Sequence, residues 1–213
     1  MINNPLVGVL NFAQILNRRL PSDDPNRELV AMIEEGAARC RDIVKALLHF
    51  GRQDTVGHGL VSLQGVVAEA VRISRHQVEL GGGELEVSIA SEVPTISGNV
   101  VQLTQVLLNL IGNAAQARAD GIITVRLEHK EELVHLQVSD NGPGISSDIR
   151  PNIFDPFFTT KEEGEGTGLG LSVAYSIIKQ HKGMLALVEE TDCEGATFLI
   201  TLPAMEVGQE ETI

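Results

Sequence analysis

Apolar residues recur at alternating steps of four and three over the first fifty positions. Ile2, Leu6, Val9, Ala13, Leu16 and Leu20 form one seam, and Leu29, Ile33, Gly36, Cys40, Ile43, Leu47 and Phe50 form a second. Such heptad spacing predicts two helices. The run Pro21-Ser22-Asp23-Asp24-Pro25 between them predicts a short turn, so the pair reads as an antiparallel hairpin. Leu10, Ile15, Val44 and Leu48 widen the apolar faces beyond a two-strand seam. A second copy would cover them by completing a four-helix bundle. The alternative is a hairpin packed on its own downstream domain.

The pattern changes after Gly51. Residues 51–59, GRQDTVGHG, are polar and glycine-bearing and predict a linker. Beyond it, a strand is expected near 60–63 and a helix near 64–79. Gly81-Gly82-Gly83 turns into a strand over 84–90, where Leu85, Val87 and Ile89 alternate with Glu84, Glu86 and Ser88. A helix near 99–119, a hairpin of strands near 122–129 and 133–139, a helix near 171–181 and strands near 184–189 and 196–202 follow. The fold class is α+β, with a helical hairpin followed by an α/β sandwich whose sheet is largely hairpin-connected. The expected division is 1–51 hairpin, 52–59 linker, 60–203 second domain and 204–213 tail, acidic from Glu206 onward.

Charge narrows the function classes. Lys+Arg 16 against Asp+Glu 29 gives a net charge of −13, which disfavours a general nucleic-acid binder. Aromatic residues make up only 3%, with no Trp, so no base-stacking platform is expected. Hydrophobic residues at 43% suit a packed core. No apolar run of membrane-spanning length and no signal-peptide pattern occur, and a cytoplasmic setting is expected. Cys40 and Cys193 lie far apart in sequence, outside any metal-ligand spacing, and read as reduced, packed thiols.

Three segments carry candidate chemistry. On the helix near 99–119, Gln105, Asn109 and Asn113 form a polar stripe at i, i+4 and i+8 on an otherwise apolar surface. Buried amides need partners. These are either neighbouring backbone or a ligand with a hydrated cation, since an amide oxygen suits Mg²⁺ shared with phosphates. Asp140-Asn141-Gly142-Pro143-Gly144 follows a strand. A carboxylate there can accept from an exocyclic amine, and its glycines permit close approach and positive φ. Gly164, Gly166, Gly168 and Gly170 precede an apolar helix. They suit a phosphate cradle or a flexible lid, without the Gly-Lys-Ser/Thr of a Walker A loop. Between the glycine runs lies Phe154-Asp155-Pro156-Phe157-Phe158-Thr159-Thr160-Lys161. Its aromatic cluster would anchor one end of the lid, and Lys161 would meet phosphate charge.

Together, in this order, these segments resemble the catalytic core of sensor histidine kinases, within the superfamily shared with gyrase, a heat-shock chaperone and mismatch-repair ATPases. The resemblance covers nearly everything from Ile2 to Pro203. Asn109 and Asn113 match the N box; Asp140, Gly142 and Gly144 the first glycine box; Phe154 to Lys161 the F box. Gly166, Thr167, Gly168, Leu169 and Gly170 match the second glycine box, and Gly195-Ala196-Thr197-Phe198 the closing strand motif. The spellings Ile-Asn-Asn-Pro-Leu and Phe-Phe-Thr-Thr-Lys resemble the nitrogen-regulation-like branch. The resemblance implies an ATP site in which Asn113 ligates Mg²⁺ and Asp140 bonds the adenine amino group. Asn109 and Lys161 would face the phosphates, Gly166 to Gly170 would cradle them, and Thr197 would line the site. It implies a homodimer and a response-regulator receiver domain as partners, with no nucleic acid, and leaves room for a sensor region elsewhere in a longer protein.

One departure stands out. The family's phosphoacceptor box reads His-Glu-Ile-Asn-Asn-Pro-Leu, and this chain starts Met1-Ile2-Asn3-Asn4-Pro5-Leu6. Met1 stands at the acid and the histidine is missing, so a cut inside the box is expected, with no autophosphorylation of this chain. Asn4, four residues after the missing histidine and on its helical face, is a candidate for positioning water in dephosphorylation of the regulator. Two alternatives remain open. One is an ATP-hydrolysing member of the superfamily, disfavoured by Asn109 where those relatives place a water-activating Glu. The other is a non-catalytic module that senses nucleotide or binds a regulator.

Overall fold

The computed structural model describes residues 3–21, 23–51, 59–161, 166–188 and 195–205. The expected linker thus lies almost wholly outside the described residues, as do Cys193, Gly164 and the acidic tail from Glu206. By contacts the chain divides into two compact units, Met1–Asp54 with Phe157–Leu169, and Thr55–Pro156 with Gly170–Ile213. Nothing in the sequence order signals that Phe157–Leu169 groups with the first unit.

In the first unit, α1 (Asn3–Arg19) and α2 (Arg27–Gly51) form the hairpin. The turn is closed by Asp24 N–H to Pro21 O, 3.2 Å, and Arg27 N–H to Asp24 O, 3.1 Å. Leu10, Ala13, Val30 and Ala37 are buried, and Asn17 Nδ2 donates to Glu34 Oε2 at 3.2 Å from one helix to the other. Of the two predicted seams only Ala13 is in that buried set. Val9, Leu16, Leu29 and Ile33 are exposed, with Phe12 and Met32 beside them. Cys40 is exposed as well. Cys40 lies on the outer stripe with Leu29 and Ile33, not on the face holding Val30 and Ala37, so the hairpin by itself does not pack the expected buried thiol.

The second unit is a two-layer sandwich. Its five-stranded sheet runs β2-β4-β5-β7-β6, with β2 Glu84–Ile89, β4 Ile122–Lys130, β5 Leu133–Asp140, β6 Met184–Val188 and β7 Thr197–Pro203. Alternation puts Leu85, Ile123, Val125, Leu127, Val134, Leu136, Val138, Ile200 and Leu202 on one buried face. Against it lie α3 (Leu63–Leu80), α4 (Val100–Ala117) and α5 (Gly170–Gln180), through Val66, Val67 and Ala70, through Val106, Leu107, Leu110 and Ile111, and through Ala174, Ile177 and Ile178. The other face carries Arg126, Glu128, Lys130 and His135. There a hydrogen bond from Lys130 Nζ, 2.9 Å away, and the charges of Lys130, Arg126 and His135 hold the Glu128 carboxyl below the usual carboxylate range. The sheet is largely hairpin-connected, as expected, but β2 pairs with β4 in parallel. The cause is the connection, which runs through a short strand, β3 (Ile96–Gly98), and then α4 before returning. β3 pairs with β1 (Gly59–Val61) in a separate two-stranded sheet.

The position of α4 is set at its first turn. Asn99 caps it, its Oδ1 accepting from Gln102 N–H at 3.0 Å, an arrangement worth about 1 kcal/mol. The Asn99 N–H itself donates to Nε2 of buried His181 at 3.0 Å. His181 is therefore neutral with its proton on Nδ1, which donates to Ile177 O at 2.7 Å. Gly98 makes room for the ring, since a Cβ there would lie 2.7 Å from His181 Cδ2. One imidazole thus ties the end of α5 to the start of α4.

Candidate nucleotide site

Asp140 ends β5 and is buried. Its Oδ1 accepts from Gly142 N–H at 2.8 Å and from Ala196 N–H at 3.3 Å. Its own N–H donates to Ala196 O at 3.0 Å. Both side-chain bonds fall on Oδ1, so the carboxylate is held in one rotamer with Oδ2 as the oxygen that bears neither. Buried charge is tolerable only with such partners. The glycines around it are there for proximity. A Cβ on Gly142 would sit 2.8 Å from Asp140 Oδ1, and one on Gly195 would collide with the Asp140 carbonyl. Only Gly144 needs its conformational freedom, at φ 73°. The turn is stitched to β4 by Asn141, whose Oδ1 accepts from Ile122 N–H at 2.8 Å. Arg118 Nη1 reaches the Asn141 carbonyl at 3.3 Å.

The polar stripe of α4 lies half-buried at Asn109 and Asn113. Asn109 Nδ2 donates to the Gly170 carbonyl, the first residue of α5, at 3.1 Å, and Gln105 Nε2 donates to Asn109 Oδ1 at 2.9 Å. Asn113, one turn on, has no side-chain hydrogen bond among the described residues. No cluster of three or more His, Cys, Asp or Glu fit for a metal occurs among the described residues. The amide oxygen of Asn113 is of the kind that suits a hard cation shared with phosphates.

Phe154 packs in this same unit, its ring centroid 5.1 Å from that of Tyr175 and 6.4 Å from that of Phe198. The sequence put an aromatic anchor here. Thr197 is a correction. Its Oγ1 donates to Ser139 Oγ at 3.1 Å, and the register pairs Thr197 with Ser139. Side chains alternate along a strand, so Thr197 shares the face of Ser139 and not that of Asp140. Gly195 and Ala196 are what meet Asp140. The sequence placed both in the closing motif without a role, and only the pairing of β5 with β7 reveals it.

Within the first unit, described residues from the two ends of Phe157–Leu169 meet. Phe157 N–H donates to Gly168 O at 2.9 Å. Gly168 has φ 63°, and a Cβ there would run into the Phe157 carbonyl, so glycine is required twice over. Phe157, at φ 69°, is a non-glycine in the left-handed region, a conformation costing about 1–3 kcal/mol and concentrated at functional sites. A Cβ on Gly166 would lie 2.9 Å from Thr159 Oγ1 and 3.2 Å from Lys161 Cδ. Thr167 Oγ1 accepts from Leu169 N–H at 3.4 Å, and Lys161 is exposed. Asn4 lies in the first turn of α1.

A family model described as Histidine kinase-, DNA gyrase B-, and HSP90-like ATPase matches residues 98–206, slightly more than half of the chain. The chain belongs to this ATPase family. A second model, the His Kinase A (phospho-acceptor) domain, matches residues 2–56, so the hairpin is of histidine-kinase type and precedes the ATPase module. The sensor histidine kinase ZraS of Escherichia coli (strain K12) is 32% identical over 203 residues, covering 95% of this chain and 43% of that protein. The sensor kinase CckA of Brucella abortus (strain 2308) is 32% identical over 219 residues, covering 95% of this chain and 23% of that protein. The chain thus spans less than half the length of either curated relative. Full-length ShkA, solved in complex with AMPPNP, superposes with a TM-score of 0.78 at 26% identity, over 95% of this chain and 44% of that one. The α+β reading holds, with the sheet-and-helix module falling in the residues that the ATPase model matches.

Proposed function

We propose that this chain is the catalytic core of a two-component sensor histidine kinase that binds Mg–ATP. Its γ-phosphoryl goes to a histidine and then to an aspartate of a response-regulator receiver domain. The observation that carries the reading is the buried Asp140, with Oδ1 fixed by two backbone N–H groups and two glycines closed upon it. Such a carboxylate leaves its second oxygen to accept from an amino donor. A nucleotide-analogue complex of ShkA and the two family matches support it. Asn113 would give its carbonyl oxygen to Mg²⁺, which when bound neutralises phosphate charge. Lys161, Gly166, Thr167, Gly168 and Leu169 keep the phosphate-binding role that the resemblance gives them. Asn109 supports a kinase over a hydrolase. Its amide is committed to Gln105 and Gly170 and cannot act as general base toward water. Calorimetry with ATP tests this. Affinity is expected to fall when Mg²⁺ is withheld, and Asn113→Ala to abolish most of that dependence. Equal affinity with and without Mg²⁺ in the parent chain would overturn the cation assignment, and absence of binding the reading itself.

The same reading makes the chain a homodimer of cytoplasmic setting. No helix among the described residues is long and apolar enough to cross a membrane. The exposed stripe of Val9, Phe12, Leu16, Leu29, Met32 and Ile33 is the face a second hairpin would cover. The double variant Leu16→Asp, Ile33→Asp alters none of the residues buried within the hairpin. In a bundle it would bury carboxylates at several kcal/mol each. Light scattering is expected to show a dimer for the parent and a monomer for the variant. A monomeric parent, or a variant that stays dimeric, would contradict the bundle. A response regulator is the second partner. One solved complex pairs histidine kinase ThkA with the response regulator TrrA, at a TM-score of 0.71 and 21% identity over 95% of this chain and 59% of that one, a likeness of fold. Asn4 remains our candidate for positioning water on the regulator's phosphoaspartate.

A further inference from the structure

Asn109 carries a directional constraint that its neighbours impose. A backbone carbonyl only accepts, so Gly170 O, 3.1 Å away, requires the NH₂ end of the Asn109 carboxamide. That turns Asn109 Oδ1 toward Gln105, which must then present its own NH₂, at 2.9 Å. The orientation of both amides thus follows from one group that cannot be reversed. After these bonds Asn109 keeps one N–H to give. Its oxygen is already engaged, and a cation there would compete with the Gln105 N–H for the same atom. Asn113 bears no such bond among the described residues.

We infer that Gln105 is a positioning residue that, with the Gly170 carbonyl, fixes Asn109 as an N–H donor toward a phosphate and leaves the cation to Asn113. This rests on the nucleotide reading above. It divides the stripe of three amides into an orienter, a phosphate donor and a cation ligand, one per helical turn. Gln105 is exposed, so changing it does not disturb the core, and its role is separable from folding.

The test uses the whole ¹⁵N-labelled chain and its Gln105→Met and Gln105→Glu variants. Met keeps the length and loses the donor; Glu puts an acceptor against an acceptor. In the parent, the Asn109 side-chain N–H pair should shift on adding Mg–ADP and stay still with adenosine. In Gln105→Met that pair should move even without ligand. ADP affinity should fall by about five- to tenfold, the scale of one lost hydrogen bond. Adenosine affinity and the ratio of ADP affinities with and without Mg²⁺ should hold within about twofold. Gln105→Glu should lower ADP affinity at least as far. Unchanged Asn109 resonances in Gln105→Met would overturn the inference, as would an equal loss for adenosine and ADP or a collapse of the Mg²⁺ ratio. Failure of the parent to bind ADP would sink the nucleotide reading instead. The ligand-free response of Asn109 to Gln105→Met would still decide whether Gln105 orients it.

Discussion

Replacing Asp140 by Asn is expected to lower nucleotide affinity about a hundredfold, roughly 2.7 kcal/mol. The reason lies in the two bonds on Oδ1. Gly142 and Ala196 both present N–H groups, so an asparagine must keep its oxygen on that side. Its NH₂ then occupies the place of Oδ2, and an adenine amino group meets a donor instead of an acceptor. Turning the amide the other way would set the NH₂ against two backbone donors in a buried site, which costs about as much. Neither rotamer recovers the site. The variant should fold, because side-chain volume is conserved. Its affinity for ATP by calorimetry, set beside its urea midpoint, separates the two effects. Affinity within a few-fold of the parent would remove Asp140 from the adenine site.

How far the sequence discloses such detail differs along the chain. The hairpin, α3, α4, α5 and the β4–β5 pair are legible because their periods, near 3.6 and 2, run long enough to distinguish. β3 is three residues long and leaves no period to read. The parallel pairing of β2 with β4 is hidden for another reason: sequence neighbours suggest hairpins, and here a helix intervenes. At the site, Asp140, Gly142 and Gly144 stand in one run and announce themselves. Gly195 and Ala196 come from the residues just before β7, more than fifty positions on, and the register with Ser139 alone decides that Ala196, and not Thr197, meets the carboxylate. The polar stripe was visible as a period of four. That Asn109 faces Gly170 with its nitrogen is not, since nothing in the spelling of α4 mentions the carbonyl at the start of α5. The exposed seam is a related case. Heptad spacing says that two helices bear apolar stripes, and the buried Leu10, Ala13, Val30 and Ala37 show which residues the hairpin itself uses.

The role of Asn109 bears on the choice between kinase and hydrolase. A carboxylate at that turn would accept a proton from water; an amide held at both ends does not. On the proposed reading the site would bind and orient a phosphoryl donor, and would need a nucleophile brought to it. In the kinases this chain resembles, that nucleophile is the histidine of the box whose later residues here are Ile2-Asn3-Asn4-Pro5-Leu6.

The most direct measurement therefore puts His-Glu in place of Met1 ahead of Ile2 and incubates the product with Mg²⁺ and γ-labelled ATP. The account predicts acid-labile, alkali-stable label on the restored chain, none on the 213-residue chain as it stands, and little on a restored chain that carries Asp140→Asn. A restored chain that binds ATP and takes up no label would contradict the kinase reading. So would label on the unmodified chain, mapped to any of its six histidines.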